Sequence, residues 1–599
     1  MTAPSPALQD SSLLSFVVKV EGQPIPSTIQ IASIDTWSAV NKVPKARLVI
    51  FDGSPATQNF ELSNLKTFLP GNKLEIAAGY DNKETSIFRG VIVKQGIEID
   101  QTQGSKLVVE VTDEALKMTL ERKNAVYEKI KDSDLIGKLI SANGLAKSVA
   151  ATNTVHEEVI QFYASDWDLM LTRAEMNSFV VMVEGGKVIV KEPDTQQAPA
   201  LRVQYGESIL DFQAEMNAAT QYAPAAIKSY AWDTATQKLT EAGPTQVRVK
   251  EQGNVTSDQL AQVFKVKKFT QQTGAPIEKS ATQDWSSAEL LKSKLSKIRG
   301  FVSFQGSALA VTGKTIELAG LGDRFNGTAF ISGVHHHLAN GRWTTEADFG
   351  LSPRWFAAEA PEIAAPDASG QLPPVKGLQT GVVKQVAKDP GGEFRVLVSL
   401  PLLQAQSKGV WARLATFYAS NKVGAVFYPE TGDEVIVGFM NEDPRYPVIL
   451  GAVYSKKLAP PYPPDEQNTK KALVTKSKLE IIFDEKNKVI EIRTPKKQII
   501  KLDDTAGAIS VTDSNKNEVL LSKSGVSVTS ASNLKLTAKG NITIQANGNL
   551  ALSAKANATM EGLQVAHTAK AKFSAKGNAA AEVTASGLLT IRGAIVKIN

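Results

Sequence analysis

The chain has 599 residues, too many for one hydrophobic core, so several domains are predicted. An apolar fraction of 42% and a charged fraction of 21% exclude a wholly disordered chain. The absence of Cys excludes disulfides, thiolate metal sites and thiol nucleophiles. A net charge of +6 is too dilute to indicate a nucleic-acid partner.

The N-terminal sequence carries no sign of a secretory signal. Residues 1–10 are polar and contain proline, and they lack the basic start and apolar core of a signal peptide. No apolar run approaches the roughly 18 residues that a membrane-spanning helix needs. We therefore expect synthesis and assembly in the cytoplasm, with any export by a route that reads no N-terminal signal.

The first part of the chain alternates predicted strands with a small helical insert. Helices are predicted over Ser133–Ser141, capped at its start, and from Ser165, with Ser165 as N-cap and Asp168 at N3. Two short apolar runs around Gly185-Gly186 predict a hairpin. Strands are predicted wherever apolar residues alternate with polar ones: Ser15–Val20, Arg47–Phe51, Lys73–Ala78, Gly90–Gln95 and Lys106–Thr112.

Changes in composition divide the remainder. Residues 357–374 are rich in Ala and Pro and predict a linker, and residues 457–477 form a second, Pro-rich linker. Between them lies a compact β-like block at 375–456, and the two ends are 1–356 and 478–599.

From Gly525 the sequence repeats every eight residues. Each octad is a short alternating stretch followed by a tight turn, with Asn533, Asn541, Asn549 and Asn557 at equivalent positions. Because eight residues carry so few apolar side chains, one chain cannot close a core around them, whereas a solenoid turn takes 20 or more residues. We therefore predict that residues 478–599 form an intertwined, three-stranded β-prism. Its shared core would include Leu534, Leu536, Ile542, Ile544, Leu550 and Leu552.

The middle block carries a set of motifs in a fixed order: Gly381-Val382-Val383, Asp389-Pro390-Gly391, Leu400-Pro401, Trp411-Ala412-Arg413, Pro429 to Val435, Asp443 to Val448 and Leu450-Gly451. This block resembles the OB-fold domain of VgrG-type spike proteins of type VI secretion and related contractile injection systems. Residues 1–356 resemble the phage-tail-hub domain of that family, notably at Ser165–Leu171, and the octads resemble its C-terminal β-needle.

The resemblance implies a mainly β protein with hub-like β units, a small helical insert, an OB fold and a triple-stranded β-helix needle. It implies a homotrimeric, non-catalytic spike that joins a hexameric inner tube and baseplate proteins to a needle that pierces a target cell envelope. A PAAR-type tip protein would cap the needle at Ile595, Val596, Ile598 and Asn599, where the sequence ends on an apolar strand. The family includes cell-anchored systems and free extracellular particles, and no cargo or target cell follows from the resemblance.

Two histidine positions raise the question of metal binding. His335 and His337 share one face of a predicted strand, but only Glu346 and Asp348, one strand away, would support them, so a structural role is the expectation and no metal or cofactor is predicted. Near His567 the apolar residues occupy odd positions, which predicts that this side chain points inward. Three copies at an axis would hold a metal, an anion or water.

Catalysis has little support in the sequence. The adjacent carboxylates Glu157-Glu158, Asp433-Glu434 and Asp503-Asp504 would face opposite sides of a strand and cannot act together on one bond. The alternative function is a β-helical enzyme that degrades polysaccharide, but the octads lack the aromatic residues that a sugar groove needs. The aromatics of the OB-like block, such as Phe417 and Tyr418, accompany the family motif, so no nucleic-acid binding is predicted.

Overall fold

Strands dominate the architecture, with 39% of residues in strands and 13% in helices. The computed structural model describes residues 3–6, 13–102, 104–360, 362–402 and 408–598. The chain divides into two units, Met1–Val453 and Tyr454–Asn599. None of the helices within the described residues is long and apolar enough to cross a membrane.

The first β unit contains all five strands that alternation predicts. Its buried core includes inward-facing residues of these strands, such as Leu48 and Ile76, together with Ile34 of β3. Its strands are β1 (Leu14–Val20), β2 (Gln23–Pro24), β3 (Ile31–Ala39), β4 (Lys45–Phe51), β5 (Lys73–Tyr80), β6 (Lys83–Asp100) and β7 (Gly104–Thr112).

A helical insert follows. Its elements are β8 (Arg122–Lys131), α1 (Asp132–Ala142), β9 (Ala146–Val149), β10 (Val155–Ser165), α2 (Asp166–Met176), β11 (Val180–Glu184) and β12 (Lys187–Lys191). The predicted cap of α2 is confirmed, because Ser165 Oγ accepts a hydrogen bond from the Asp168 amide. The β11–β12 hairpin is also confirmed, with positive φ at Gly185 and Gly186. The predicted cap of α1 is wrong: this helix begins at Asp132 without a side-chain cap.

The second β unit completes the N-terminal part. Its elements are β13 (Leu201–Gln204), β14 (Ile209–Met216), β15 (Ile227–Asp233), β16 (Lys238–Ala242), α3 (Ser257–Phe264), β17 (Phe269–Thr273), α4 (Lys279–Leu295), β18 (Ile298–Gln305), β19 (Thr315–Ala319), α5 (Gly322–Phe325), β20 (Gly327–Ala339), β21 (Arg342–Phe349) and α6 (Phe356–Glu359). Sequence reasoning predicted only strands here and missed α4. The buried face of α4 contains polar residues such as Thr282 and Ser286, which hides the apolar period.

One 13-stranded sheet joins the two β units, because β3 of the first pairs antiparallel with β20 of the second. In this register Asp35 lies opposite His337, and Trp37 lies opposite His335. A small buried cluster that includes Val40, Met182 and Phe330 packs where the insert and both β units meet. The hub-like part is therefore built on one continuous sheet, and it also contains the helical insert and a separate three-stranded sheet of β16, β15 and β17.

The next block is a small barrel. Its strands are β22 (Gln379–Gln385), β23 (Val396–Ser399), β24 (Val410–Leu414), β25 (Ala419–Ser420), β26 (Val423–Gly424), β27 (Glu434–Phe439) and β28 (Pro447–Ala452). Strands β22, β23, β24, β28 and β27 close into a five-stranded barrel, as the OB-fold resemblance implies. Gly381 is required where the strands approach closely, because a Cβ atom there would lie 2.3 Å from Val398 Cγ1.

The C-terminal unit begins with a seven-stranded antiparallel meander in which each strand pairs with the next. Its strands are β29 (Lys470–Val474), β30 (Glu480–Asp484), β31 (Val489–Arg493), β32 (Ile499–Asp503), β33 (Ala508–Thr512), β34 (Glu518–Ser522) and β35 (Gly525–Thr529). Asp and Asn side chains organise its turns; Asp513, for example, accepts hydrogen bonds from the amides of Asn515 and Asn517.

A buried ion pair holds the two helices of the insert together. Asp132 at the start of α1 accepts hydrogen bonds from Arg173 Nε at 2.6 Å and from Asn177 Nδ2 at 2.7 Å, and His156 Nε2 lies at 3.0 Å. Burial by itself would raise the pKa of Asp132, but hydrogen bonding to His156, Arg173 and Asn177 outweighs it and holds the pKa well below its usual value.

We predict that Asp132→Asn destabilises the insert by about 3 kcal/mol, because it leaves Arg173 largely buried without its counterion. Hydrogen exchange of peptides from α1 and α2 measures this as a lower free energy of opening. The Asp132 contribution is fully present above the unfolded pKa near 3.8 and is lost as pH falls through the lower folded pKa. Asp134→Asn, on the exposed side of the same first turn, is the control. Equal effects of the two substitutions would contradict the assignment.

Candidate interaction surface

The two faces of the seven-stranded C-terminal sheet differ in chemistry. On one face, directly paired positions are apolar: Phe483 faces Ile490, and Leu502 faces Ile509. We call this face the apolar columns. Its residues are Ile481, Phe483, Ile490, Ile492, Ile500, Leu502, Ile509, Val511, Val519, Leu521, Val526 and Val528.

Among the described residues, no element covers the apolar columns. Their side chains are between 37% and 71% exposed, although the residues alternating with them along β31, β32 and β33 are more buried and include polar residues such as Glu491, Lys501 and Ser510. Soluble monomers rarely expose a continuous apolar face of this extent, and such a face marks an interaction surface. The arrangement is the reverse of an ordinary two-faced sheet, in which the apolar side is covered.

Charged side chains on the opposite face form hydrogen bonds and ion pairs within the chain. Arg493 donates to Glu480 Oε2 at 2.8 Å and to the Tyr462 hydroxyl at 2.8 Å, and that hydroxyl donates to Glu480 at 2.8 Å. The hydrogen bonds from Tyr462 and Arg493 hold the pKa of Glu480 below its usual value. Lys501 and Asp503 form a further ion pair at 2.7 Å. Tyr462 lies in the Pro-rich segment, so this segment anchors to the polar face.

The octad segment continues the apolar pattern without pairing to itself. Among the described residues from 530 to 598, no strand pairing is found within the chain. The six side chains predicted for a shared core, Leu534, Leu536, Ile542, Ile544, Leu550 and Leu552, are 56% to 78% exposed. Backbone amides and carbonyls in extended segments need partners once water is excluded. Both the backbone groups and the apolar side chains of this segment therefore lack strand partners among the described residues.

The predicted tip residues are also exposed: Ile595, Val596 and Ile598 at 79%, 51% and 87%. Asn599 lies outside the described residues. The ring of His567 stacks on that of Phe573, with centroids 6.2 Å apart. Its predicted place at an axis stays a prediction.

The histidine triplet lies at the centre of the hub sheet. His336 points to the buried side, with Nδ1 2.9 Å from Thr345 Oγ1. His335 and His337 share the other face, as predicted, and their nitrogens lie 3.0 Å and 2.7 Å from Asp35 Oδ1. Burial would raise the pKa of Asp35, but its hydrogen bonds to the two imidazoles lower it. Sequence reasoning missed Asp35, because it lies about 300 residues from the triplet.

Two of the three adjacent carboxylate pairs contain turn residues. Asp433 accepts a hydrogen bond from the Glu430 amide, and Asp503 accepts one from the Ala506 amide. In the barrel, Asp389 accepts hydrogen bonds from the Arg395 side chain and from the amides of Gly391 and Glu393. These carboxylates organise loops.

Two protein families match the chain. The sequence model of the Alg8 N-terminal domain matches residues 10–340, more than half of the chain. That of the type VI secretion system/phage-baseplate injector OB domain matches residues 379–454, which contain the five-stranded barrel.

Curated relatives share shorter segments. The actin cross-linking toxin VgrG1 of Vibrio cholerae is 36% identical over 72 residues, 12% of this chain and 7% of the relative. The type VI secretion system spike protein VgrG5 of Pseudomonas aeruginosa is 30% identical over 130 residues, 20% of this chain and 16% of the relative. The matched segments thus span a small share of these relatives.

Solved structures of tail and secretion proteins are also similar. An E. coli component of the type VI secretion system aligns with a TM-score of 0.36 and 12% identity, over 73% of this chain and 99% of its own. A tail protein from Neisseria meningitidis aligns with a TM-score of 0.42 and 14% identity, over 57% of this chain and 98% of its own.

The chain thus has a β-rich N-terminal part that matches the Alg8 N-terminal domain, followed by a barrel that matches the injector OB domain. The curated relatives of this chain are named as spike proteins of type VI secretion or as a VgrG toxin. The chain belongs to the family of the Alg8 N-terminal domain and, through its injector OB domain and these relatives, to the VgrG-type spike proteins.

Proposed function

We propose that this protein is the homotrimeric central spike of a contractile injection apparatus. It joins a hexameric inner tube and baseplate proteins to a needle that penetrates a target envelope. It is assembled in the cytoplasm as part of an injection particle and leaves with that particle on firing. The observation that carries the proposal is the apolar surface of the C-terminal unit, which has the chemistry of a core but no covering element among the residues that the structure describes.

Further copies of the same chain are the best cover for this surface. Every strand of the meander from β30 to β35 contributes two residues to the apolar columns, and the octads repeat the same spacing. Identical chains match this repeat layer by layer, since equivalent strands carry equivalent side chains. Three sheets with their apolar faces inward form a closed prism and leave the polar faces, with their own ion pairs, toward water.

The hub supports the proposed contact with a hexameric tube. Each chain carries two β units in one sheet, joined through β3 and β20, so a trimer presents six. The OB barrel lies between the hub and the C-terminal unit in sequence, and we propose that it connects them within the spike. We propose the following division into domains: a hub at 1–356, a barrel at 375–456 and a needle at 478–599, with linkers at 357–374 and 457–477.

We predict that Ile509→Asp prevents assembly, whereas Ser510→Asp does not. Ile509 lies in the apolar columns, so three carboxylates would enter one apolar layer, while Ser510 on the other face lies opposite Lys501. Mass photometry should show three 64.3 kDa chains for the parent and Ser510→Asp, and separate chains for Ile509→Asp. Ile542→Asp and Thr543→Asp repeat the comparison in the octads. A parent monomer with a fully protected C-terminal unit would refute the proposal.

The proposed role is mechanical, without chemistry of its own. Support comes from the carboxylates Asp433 and Asp503, whose oxygens accept hydrogen bonds within their own turns. We predict that the pure trimer releases no reducing sugar or muropeptide from capsule or cell-wall substrates above a heat-inactivated control. Release that scales with protein concentration would favour the polysaccharide-degrading alternative instead.

We propose that a small PAAR-type tip protein covers Ile595, Val596 and Ile598, with Asn599 in the same contact. Apolar side chains of this size, more than half exposed, gain stability when a partner removes them from water. The double substitution Val596→Asp with Ile598→Asp should leave the trimer intact and abolish co-purification of the tip protein encoded in the same system. Lys597→Ser is the control between the two positions. Full retention of the tip protein by the double variant would place its binding site elsewhere.

A further inference from the structure

Three potential metal-binding side chains converge on the exposed face of the hub sheet. His335 and His337 lie two residues apart on β20, and Asp35 lies opposite His337 on β3. Asp35 Oδ1 is 3.0 Å from His335 Nε2 and 2.7 Å from His337 Nδ1, and all three ligand atoms lie within 4.8 Å of one another. Two imidazole nitrogens and one carboxylate oxygen form the donor set typical of a three-ligand zinc site.

The surrounding residues hold these side chains in place. The ring of His335 stacks on Trp37, with centroids 4.9 Å apart and planes 12° from parallel. Lys45 lies 5.2 Å from the same indole ring. His336, between the two ligands, is anchored on the opposite face to Thr345 and Trp343. The site is therefore built on two paired central strands and not on a loop, which limits the rearrangement that binding requires.

Access and charge also suit a cation. The side chains of Asp35, His335 and His337 are 15%, 31% and 46% exposed, so an ion can enter from solvent. Glu346 lies directly opposite His335 on β21, and Asp348 follows two residues later on the same face. Arg47, opposite Asp35 on β4, is paired with Glu98 at 3.0 Å. The neighbourhood therefore carries carboxylates around the two imidazoles.

We propose that Asp35, His335 and His337 bind one zinc-class divalent cation per chain, with water at the open fourth position. Ligands at zinc–ligand distances of 2.0 to 2.1 Å in a tetrahedron lie about 3.3 Å apart, so the Asp35 contacts must open by only a few tenths of an ångström. Each neutral imidazole keeps its single proton, which moves to the nitrogen that does not bind the ion. This proposal does not depend on the spike proposal.

The site would act as a clip between the two β units. Asp35 belongs to the first unit and the two histidines to the second, and the pairing of β3 with β20 is the strand contact that joins those units in the sheet. A bound ion replaces two hydrogen bonds to one oxygen with three metal–ligand bonds across this seam. Binding to the folded hub alone therefore stabilises it by mass action.

The test uses tag-free full-length protein stripped of metal, titrated with zinc alone in a calorimeter and with cobalt(II) alone in an absorption spectrometer. The expected result is one ion per chain, with visible cobalt bands of a tetrahedral site. His337→Gln and Asp35→Asn should each weaken binding by about 100-fold or more, since loss of a ligand costs at least as much as loss of an outer hydrogen-bond partner. Because His337 is the most exposed ligand, its substitution should leave the melting temperature without metal unchanged.

His567→Gln is the matched control and should leave zinc binding by the hub intact. An ion bound by three His567 side chains at an axis would instead appear as one ion per three chains and would vanish in His567→Gln. Zinc binding below one ion per chain in the parent, or binding that is unchanged in His337→Gln and Asp35→Asn, would overturn the proposal.

Discussion

The structure depends above all on an apolar surface that its own chain leaves in water. The strands β30 to β35 of the C-terminal sheet each present two apolar side chains to one face, and no second layer among the described residues covers them. Full burial of one such side chain stabilises by about 1.5 to 3 kcal/mol. Summed over many strands, the free energy gained by covering this face greatly exceeds the stability of a single uncovered sheet. In the proposed trimer, association would therefore be part of the folding of this unit.

The hub differs from the C-terminal unit, because it buries its apolar side chains in cores formed within one chain. Separate buried clusters lie in the first β unit, in the helical insert and in the second β unit. The β3–β20 pairing turns two β units into one sheet, and the Asp132–Arg173 ion pair ties α1 to α2. Junctions of this kind fit the mechanical role that we propose for the protein. The matched injector OB domain is likewise closed around its own core.

The arrangement of the polar groups also differs between the hub and barrel on the one hand and the C-terminal unit on the other. In the hub and barrel, charged side chains satisfy each other locally, as Asp389 and Arg395 do in a barrel loop. In the C-terminal unit, Glu480, Arg493 and Tyr462 pair on the face opposite the apolar columns. From β30 to β35 the apolar columns contain no charged residue. Charges are thus absent from the apolar columns, where an unpaired carboxylate would be costly in a shared core. The cluster of Asp35, His335 and His337 is a further polar group that spans two remote segments of the chain.

Local patterns in the sequence determined much of this protein: the alternating strands, the Ser165 cap, the Gly185-Gly186 hairpin, the barrel motif and the octads whose apolar content is too small for one chain. The strands, the cap, the hairpin and the octads depend on residues close in sequence, so period and turn chemistry reveal them. The barrel was implied by the resemblance of its motifs to a known family. Only the tertiary structure placed Asp35 beside His335 and His337, because strand register between distant segments is not encoded locally. Only the tertiary structure also revealed α4. Polar residues of this helix, such as Ser286, are buried against remote partners such as Ser229, so the apolar residues do not show a helical period.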